Sequence, residues 1–273
     1  MEYDLVISGG GIKFYYLLGL MREIKNLNII RYSATSSGSI ILPLIICNLD
    51  ENEIIKNYNF VKNLNKSKMD LIDIFLNNVL PDDVHKICSD KLYISITVFK
   101  NLYLQNISVS KFNSKKELID TIKASCSIPF FVNNNLFFKY GNYQALDGCF
   151  TRNTPYFTDN LRKQIIVKIF LIEYQNLNIF SLETDYQLKY IQKGQNDFIN
   201  FINNKKVKCI QWYDRYYKSN LSSNILDYGS HFIKKVNKFN LILVVLFIFF
   251  LIFIFGKLNK IENLRNILTI IAS

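Results

Sequence analysis

Within the first 47 residues the chain switches twice from a short apolar run to helical spacing, each time through a stretch of small residues. Tyr3 to Ser8 is apolar between polar ends and reads as a buried strand. Gly9, Gly10 and Gly11 follow at once, and Ile12 to Asn26 then sets Leu17, Leu20, Met21 and Ile24 on one helical face. Ile29 to Ala34 repeats the strand pattern, and Gly38 to Cys47 repeats the helix. Strand, loop and helix in repeated succession imply an α/β fold with a mostly parallel central sheet.

The glycines narrow the reading further. The chain has only 10 glycines in 273 residues, and three stand together between a strand and a helix. Glycine lets backbone approach a ligand closely, and successive N–H groups there form a cradle for negative charge. A dinucleotide fingerprint would need glycine where Phe14 stands, and a P-loop needs Gly-Lys followed by Ser or Thr, which is absent.

Beyond these two units, residues 50–90 are polar and mostly helical in pattern. Leu92 to Phe99 and Tyr103 to Val109 alternate as two strands around Lys100–Asn101. Ser114 to Ser125 reads as a helix, with Ser114 and Glu117 forming a capping box. Gln164 to Ile172 reads as a further buried strand, and residues 181–220 as helical. The cluster Lys205 to Lys218 carries Trp212, Tyr213, Tyr216 and Tyr217, suited to a membrane surface or to a helix packed on the core.

Residues 239–256 include 15 unbroken apolar residues, Leu241 to Phe255. As a helix, such a segment reaches about 27 Å, close to the hydrocarbon thickness of a bilayer. Lys234, Lys235 and Lys238 flank one side, Lys257 and Lys260 the other. A single-pass membrane helix acting as a carboxyl-terminal anchor is expected. The start of the chain lacks a basic stretch followed by an apolar run, so no signal peptide is expected and the folded part is placed on the cytosolic side.

The net charge is +11, from 33 Lys+Arg against 22 Asp+Glu. The same chain is crowded with Asn, Ile, Tyr and Phe, and it has neither zinc-finger spacing nor an RNA-binding aromatic signature, so nucleic acid is not expected as a partner. Five widely spaced cysteines without a C-x-x-C argue against a disulfide framework and a structural zinc site.

Four short stretches carry the chemistry. They are "SGGGIK" from Ser8, "ATSSGS" from Ala34, "ASCSIP" from Ala124 and "DGCFTRNTP" from Asp147. Singly each is an ordinary loop. In this order they resemble the patatin-like phospholipase family over roughly residues 3 to 175. That family pairs a glycine-rich G-G-G-x-K/R loop with a G-x-S-x-G serine, a D-G-G/A aspartate, an A-S-x-x-x-P segment and an N-x-P, the last matching Asn153 to Pro155.

The resemblance implies a three-layer α/β/α fold and a lipid acyl hydrolase of phospholipase A type that needs no cofactor and no metal. Ser36 is then the nucleophile and Asp147 its base, in a dyad. Backbone N–H groups among Gly9, Gly10, Gly11 and Ile12 form the oxyanion hole, where charge develops on the carbonyl oxygen. Lys13 is a candidate phosphate contact; Ala34, Gly38 and Gly148 shape the elbow and the turn. Phospholipid or another acyl lipid is the expected substrate. The departures are Phe14 and Ala34, where the family has glycine, and Cys149 in the D-G-C. They motivate the second reading, an inactive patatin-like membrane scaffold that binds lipid or protein. The chain has two histidines, His85 and His231, and the order Ser36, Asp147, His231 matches that of α/β-hydrolase triads.

The expected organisation is a catalytic domain over residues 1–180, a helical extension over 181–237, a transmembrane helix over 238–256 and a short basic tail over 257–273.

Overall fold

A computed structural model describes residues 1–11, 13–100, 103–172 and 187–213. Ile12, His231, Tyr216, Tyr217, the expected membrane helix at 238–256 and the tail at 257–273 lie outside the described residues. Among the described residues no helix is long and apolar enough to cross a membrane.

The chain is a mixed α/β fold. It runs β1 (Tyr3–Ile7), α1 (Phe14–Ile24), β2 (Ile29–Thr35), α2 (Ser37–Ile46), α3 (Glu51–Lys62), α4 (Lys68–Val79), α5 (Val84–Cys88) and β3 (Leu92–Lys100). It continues with β4 (Tyr103–Val109), α6 (Lys115–Ser125), β5 (Phe138–Tyr140), β6 (Tyr143–Leu146), α7 (Cys149–Arg152) and β7 (Lys163–Val167). A short 3-10 turn at Ile169–Leu171 precedes α8 (Gln187–Ile202) and β8 (Ile210–Trp212).

The eight strands among the described residues belong to one sheet. Its centre is parallel, β1 lying between β2 and β7 and β2 pairing onward with β3. Antiparallel strands β4, β5, β6 and β8 are added around that core. Right-handed crossovers put α1 and the α2–α5 connection on the same face, and α1 packs on α2 accordingly. On the other face Thr97 Oγ1 meets Thr151 Oγ1 of α7 at 2.8 Å. Alternation along β3 then directs Ile94, Ile96 and Val98 to the opposite, apolar side, where all three are fully buried.

β4 occupies an entire edge of β3, from Ile94 to Lys100. β2, opposite residues 92–95, and β6, opposite residues 97–99, must therefore share the other edge. They run toward each other along it, because β2 is parallel and β6 antiparallel to β3. Thr35 ends β2 across from Ser95, and Leu146 ends β6 across from Thr97. A single residue of β3, Ile96, separates those registers, so the next residues, Ser36 and Asp147, emerge side by side.

Two expectations are corrected. The strand expected to Ile172 stops at Val167, because Ile169 N–H turns to donate to Ser8 Oγ at 3.0 Å and the chain enters the 3-10 turn. Among the described residues of 181–220 the helical reading holds for α8, whereas Ile210–Trp212 is a strand, paired antiparallel with β7. Trp212 there stacks on Tyr3 at 5.7 Å and lies against Phe201 at 4.8 Å, so its ring serves the core.

Candidate active site

Ser36 stands alone between β2 and α2 with φ 53° and ψ −131°, a region that residues with a Cβ rarely enter. The tight turn lets α2 start at once, and its close approach to β1 needs small neighbours. Ala34 is fully buried in β2, paired with Ile7 and Ile94. Gly38 lies against Ile7, whose carbonyl oxygen would be 2.8 Å from an added Cβ.

Ser36 Oγ donates to Asp147 Oδ2 at 2.6 Å. Both residues are buried, Asp147 completely. The other carboxylate oxygen of Asp147 accepts the Cys149 N–H at 2.9 Å, and its own N–H donates to the Ser127 carbonyl at 2.9 Å. Gly148 N–H donates to the Ser125 carbonyl at 3.2 Å, and its Cα packs so closely on the Ser95 carbonyl that a Cβ would lie 2.2 Å from that oxygen. Burial pushes the Asp147 carboxyl up to about 6, against the hydrogen bonds from Ser36 and Cys149, which favour the charged form. A carboxyl held near neutrality and bonded to a hydroxyl is equipped to take a proton and return it.

The turn is held by a relay from α6. Ser125 Oγ accepts the Ser36 N–H at 2.9 Å and donates to the Ser95 carbonyl at 2.7 Å. On the far side, Ser39 Oγ donates to the Ser36 carbonyl at 2.6 Å. Ser37, the residue after the turn, has a buried hydroxyl with no hydrogen-bond partner among the described residues. Cys126, also buried, has Sγ 3.8 Å from Ser39 Oγ, and burial raises its thiol further.

The glycine loop comes against this turn from β1. Gly9 N–H donates to Asn153 Oδ1 at 3.0 Å, and a Cβ built on Gly9 would lie 3.0 Å from Ser36 Cβ. Gly10 is wedged on the 3-10 turn, where a Cβ would meet Phe170 N at 2.3 Å; Gly11 has φ 81°. Neither Gly10 N–H nor Gly11 N–H makes a hydrogen bond among the described residues. Ile12, the fourth expected member, lies outside the described residues. Lys13 is buried, and its ammonium donates to the carbonyls of Ile169 at 2.8 Å and Ile172 at 2.5 Å. It thereby fastens the start of α1 to the turn beneath Gly10. Phe14 stacks on Tyr58 at 4.0 Å and meets Phe75 edge-on, filling the space between α1, α3 and α4.

Asn153 and Ser125 were present in the sequence only as parts of N-x-P and A-S-x-x-x-P. Their partners, Gly9 and Ser36, lie 144 and 89 residues away. Local pattern carries no sign of such contacts. His85 sits on α5 with Nδ1 3.2 Å from the Asp82 carbonyl, and no histidine among the described residues bonds Ser36 or Asp147.

Residues 5–73 match the family model for patatin-like phospholipase. The chain is 28% identical over 170 residues to the omega-hydroxyceramide transacylase of Homo sapiens, a stretch covering 56% of this chain and 31% of that protein. The corresponding transacylase of Mus musculus is 27% identical over 180 residues, covering 58% of this chain and 29% of that protein. The 1-acylglycerol-3-phosphate O-acyltransferase Pnpla3 of Mus musculus is 43% identical over 56 residues, covering 20% of this chain and 13% of that protein. The matches span less than a third of the length of each relative. The family model matches the segment that holds both the glycine loop and Ser36, and there the chain is similar to the patatin-like phospholipase family.

Proposed function

We propose that the chain is a lipid acyl hydrolase in which Ser36 is the nucleophile and Asp147 the general base. The observation that carries this reading is the 2.6 Å bond between Ser36 Oγ and a fully buried Asp147 carboxyl. Ser36 Oγ attacks the carbonyl carbon of a fatty-acyl ester while its proton passes to Asp147. The oxyanion so formed is met by the N–H groups of Gly10 and Gly11, which have no other partner among the described residues. Collapse returns the proton from Asp147 to the departing alkoxide and leaves an acyl ester on Ser36. Water then attacks that ester, its proton going to Asp147 and onward to Ser36 as the fatty acid leaves.

The curated relatives favour a second outcome for the same acyl-enzyme, since their names are those of a transacylase and an acyltransferase. There the hydroxyl of a lipid takes the place of water. The carboxyl-terminal segment at 238–256 fits either outcome as a tether that keeps the site beside lipid. A fluorophosphonate probe tests the common step: it labels wild type, and loses its target in Ser36→Ala. Undiminished labelling of that variant removes Ser36 as nucleophile. Mass spectrometry of lipids after incubation with phospholipid, with and without a lipid alcohol, separates free fatty acid from transferred acyl chain.

A further inference from the structure

Helix α2 begins with three buried donors that the fold leaves unused. Ser36 stands at its N-cap, where a serine side chain ordinarily accepts from the first turn, but Ser36 makes no such bond and its hydroxyl is held by Asp147 instead. The first turn carries no acidic residue either. Among the described residues the N–H groups of Ser37 and Gly38 have no hydrogen-bond partner, and neither has the Ser37 hydroxyl. Ser37 is 8% exposed, and Gly38 is buried. Such a helix end is costly, because buried donors without an acceptor have given up water and gained nothing in return.

The direction of these donors gives them a use. In a helix each Cα–Cβ bond tilts toward the N-terminus, so the side chain of Ser37, the first residue of α2, leans toward Ser36. The first-turn N–H groups point the same way, and the macrodipole of a ten-residue helix makes that end partly positive. The groups around Ser36 are otherwise engaged. Asp147 accepts from its Oγ, Ser125 accepts from its N–H, and Ser39 donates to its carbonyl. The start of α2 is left with donors to spare, as is the glycine loop that Gly9 brings into contact with Ser36. Attack by Ser36 creates the missing acceptor, since the carbonyl oxygen of the ester takes on a full negative charge. A neutral carbonyl accepts weakly and an oxyanion strongly, so donors waiting there lower the barrier rather than merely bind the substrate.

We propose that the Ser37 hydroxyl is a further catalytic group, donating to the oxyanion alongside the N–H groups of the glycine loop. The proposal deepens the reading of Ser36 as nucleophile and rests on it. Ser37→Ala removes the hydroxyl and leaves α2 its N–H groups. Because the lost hydroxyl has no partner among the described residues, urea unfolding of the full chain places the midpoint of the variant at or above that of wild type. On a p-nitrophenyl ester kcat falls about 10- to 100-fold, the loss of one hydrogen bond to a charged group, while KM changes less than about threefold. A trifluoromethyl ketone, whose adduct with a serine carries the oxyanion, loses affinity by the same factor. Equal kcat and equal ketone affinity in the two proteins overturn the proposal. So does a midpoint that falls, which makes the hydroxyl a structural group instead. Fluorophosphonate labelling separates this result from a failure of the underlying reading. A wild type that takes no label at Ser36 loses the nucleophile and the role of Ser37 with it, whereas a labelled wild type with an indifferent Ser37→Ala loses only the latter.

Discussion

Gly9 and Ser36 touch: a single added carbon on Gly9 would sit 3.0 Å from Ser36 Cβ and 2.8 Å from Asn153 Oδ1. The obstructing oxygen is itself fixed by the Gly9 N–H, so it cannot swing away without giving up that bond. Gly9→Ala should push the loop from the turn and displace the N–H groups that follow. Loss of one oxyanion donor typically costs about 100- to 1,000-fold in kcat. Ester hydrolysis by Gly9→Ala should fall in that range; a loss under about threefold would separate the glycine loop from the chemistry.

Ser125 offers a test of positioning, because its hydroxyl touches the Ser36 backbone and not the reacting oxygen. Ser125→Ala leaves a buried N–H without a partner, at about 1–3 kcal/mol of stability. Displacement of the turn should slow fluorophosphonate labelling about tenfold or more, since misplacement by an ångström costs rate steeply. The label should still be found on Ser36, and KM should change less than kcat. A variant that is destabilised yet labels at the wild-type rate confines Ser125 to structure.

The strain at Ser36 can be read from a pair of variants. Both Ser36→Ala and Ser36→Gly lose the bond to Asp147, but alanine keeps a Cβ at φ 53° and glycine does not. Relief of such strain contributes about 1–3 kcal/mol. The freer unfolded chain of the glycine variant offsets about 0.4–1 kcal/mol of it. Urea unfolding should therefore show Ser36→Gly more stable than Ser36→Ala by about 1 kcal/mol, whereas an alanine variant of equal or greater stability means that the turn is relaxed.

The parallel centre of the sheet was legible because β1 and β2 are short, largely apolar runs, each followed by glycine or serine before a helix. The capping box at α6 was legible for the same local reason, and Ser114 Oγ accepts the Glu117 N–H at 3.1 Å. β8 was not, since three residues are too few to show alternation and its only reason to be extended is the free edge of β7. The end of β7 was hidden too, being set by Ser8, 161 residues away. Within the site the residue types were visible but their meeting was not. The head-to-head approach of β2 and β6 along β3 depends on β4 filling the opposite edge, and no motif encodes that.

Asp147 ties stability and activity to pH with opposite signs. Its carboxyl lies at about 6 in the folded chain, against about 3.9 when unfolded. Between those values the native state holds a proton that the unfolded state has released. The stability this contributes is whole below pH 4 and is lost as pH rises through 6, a change of about 3 kcal/mol. The proposed mechanism needs the carboxylate, so kcat/KM should climb with unit slope up to pH 6 and level above it. Asp147→Asn, which cannot titrate, supplies the reference. Denaturant unfolding of both proteins at pH 4 and pH 7.5 should show wild type losing stability relative to the variant as pH rises, while its ester hydrolysis turns on. If the two unfolding curves shift in parallel, Asp147 titrates alike in the folded and unfolded chains, and burial does not raise its carboxyl.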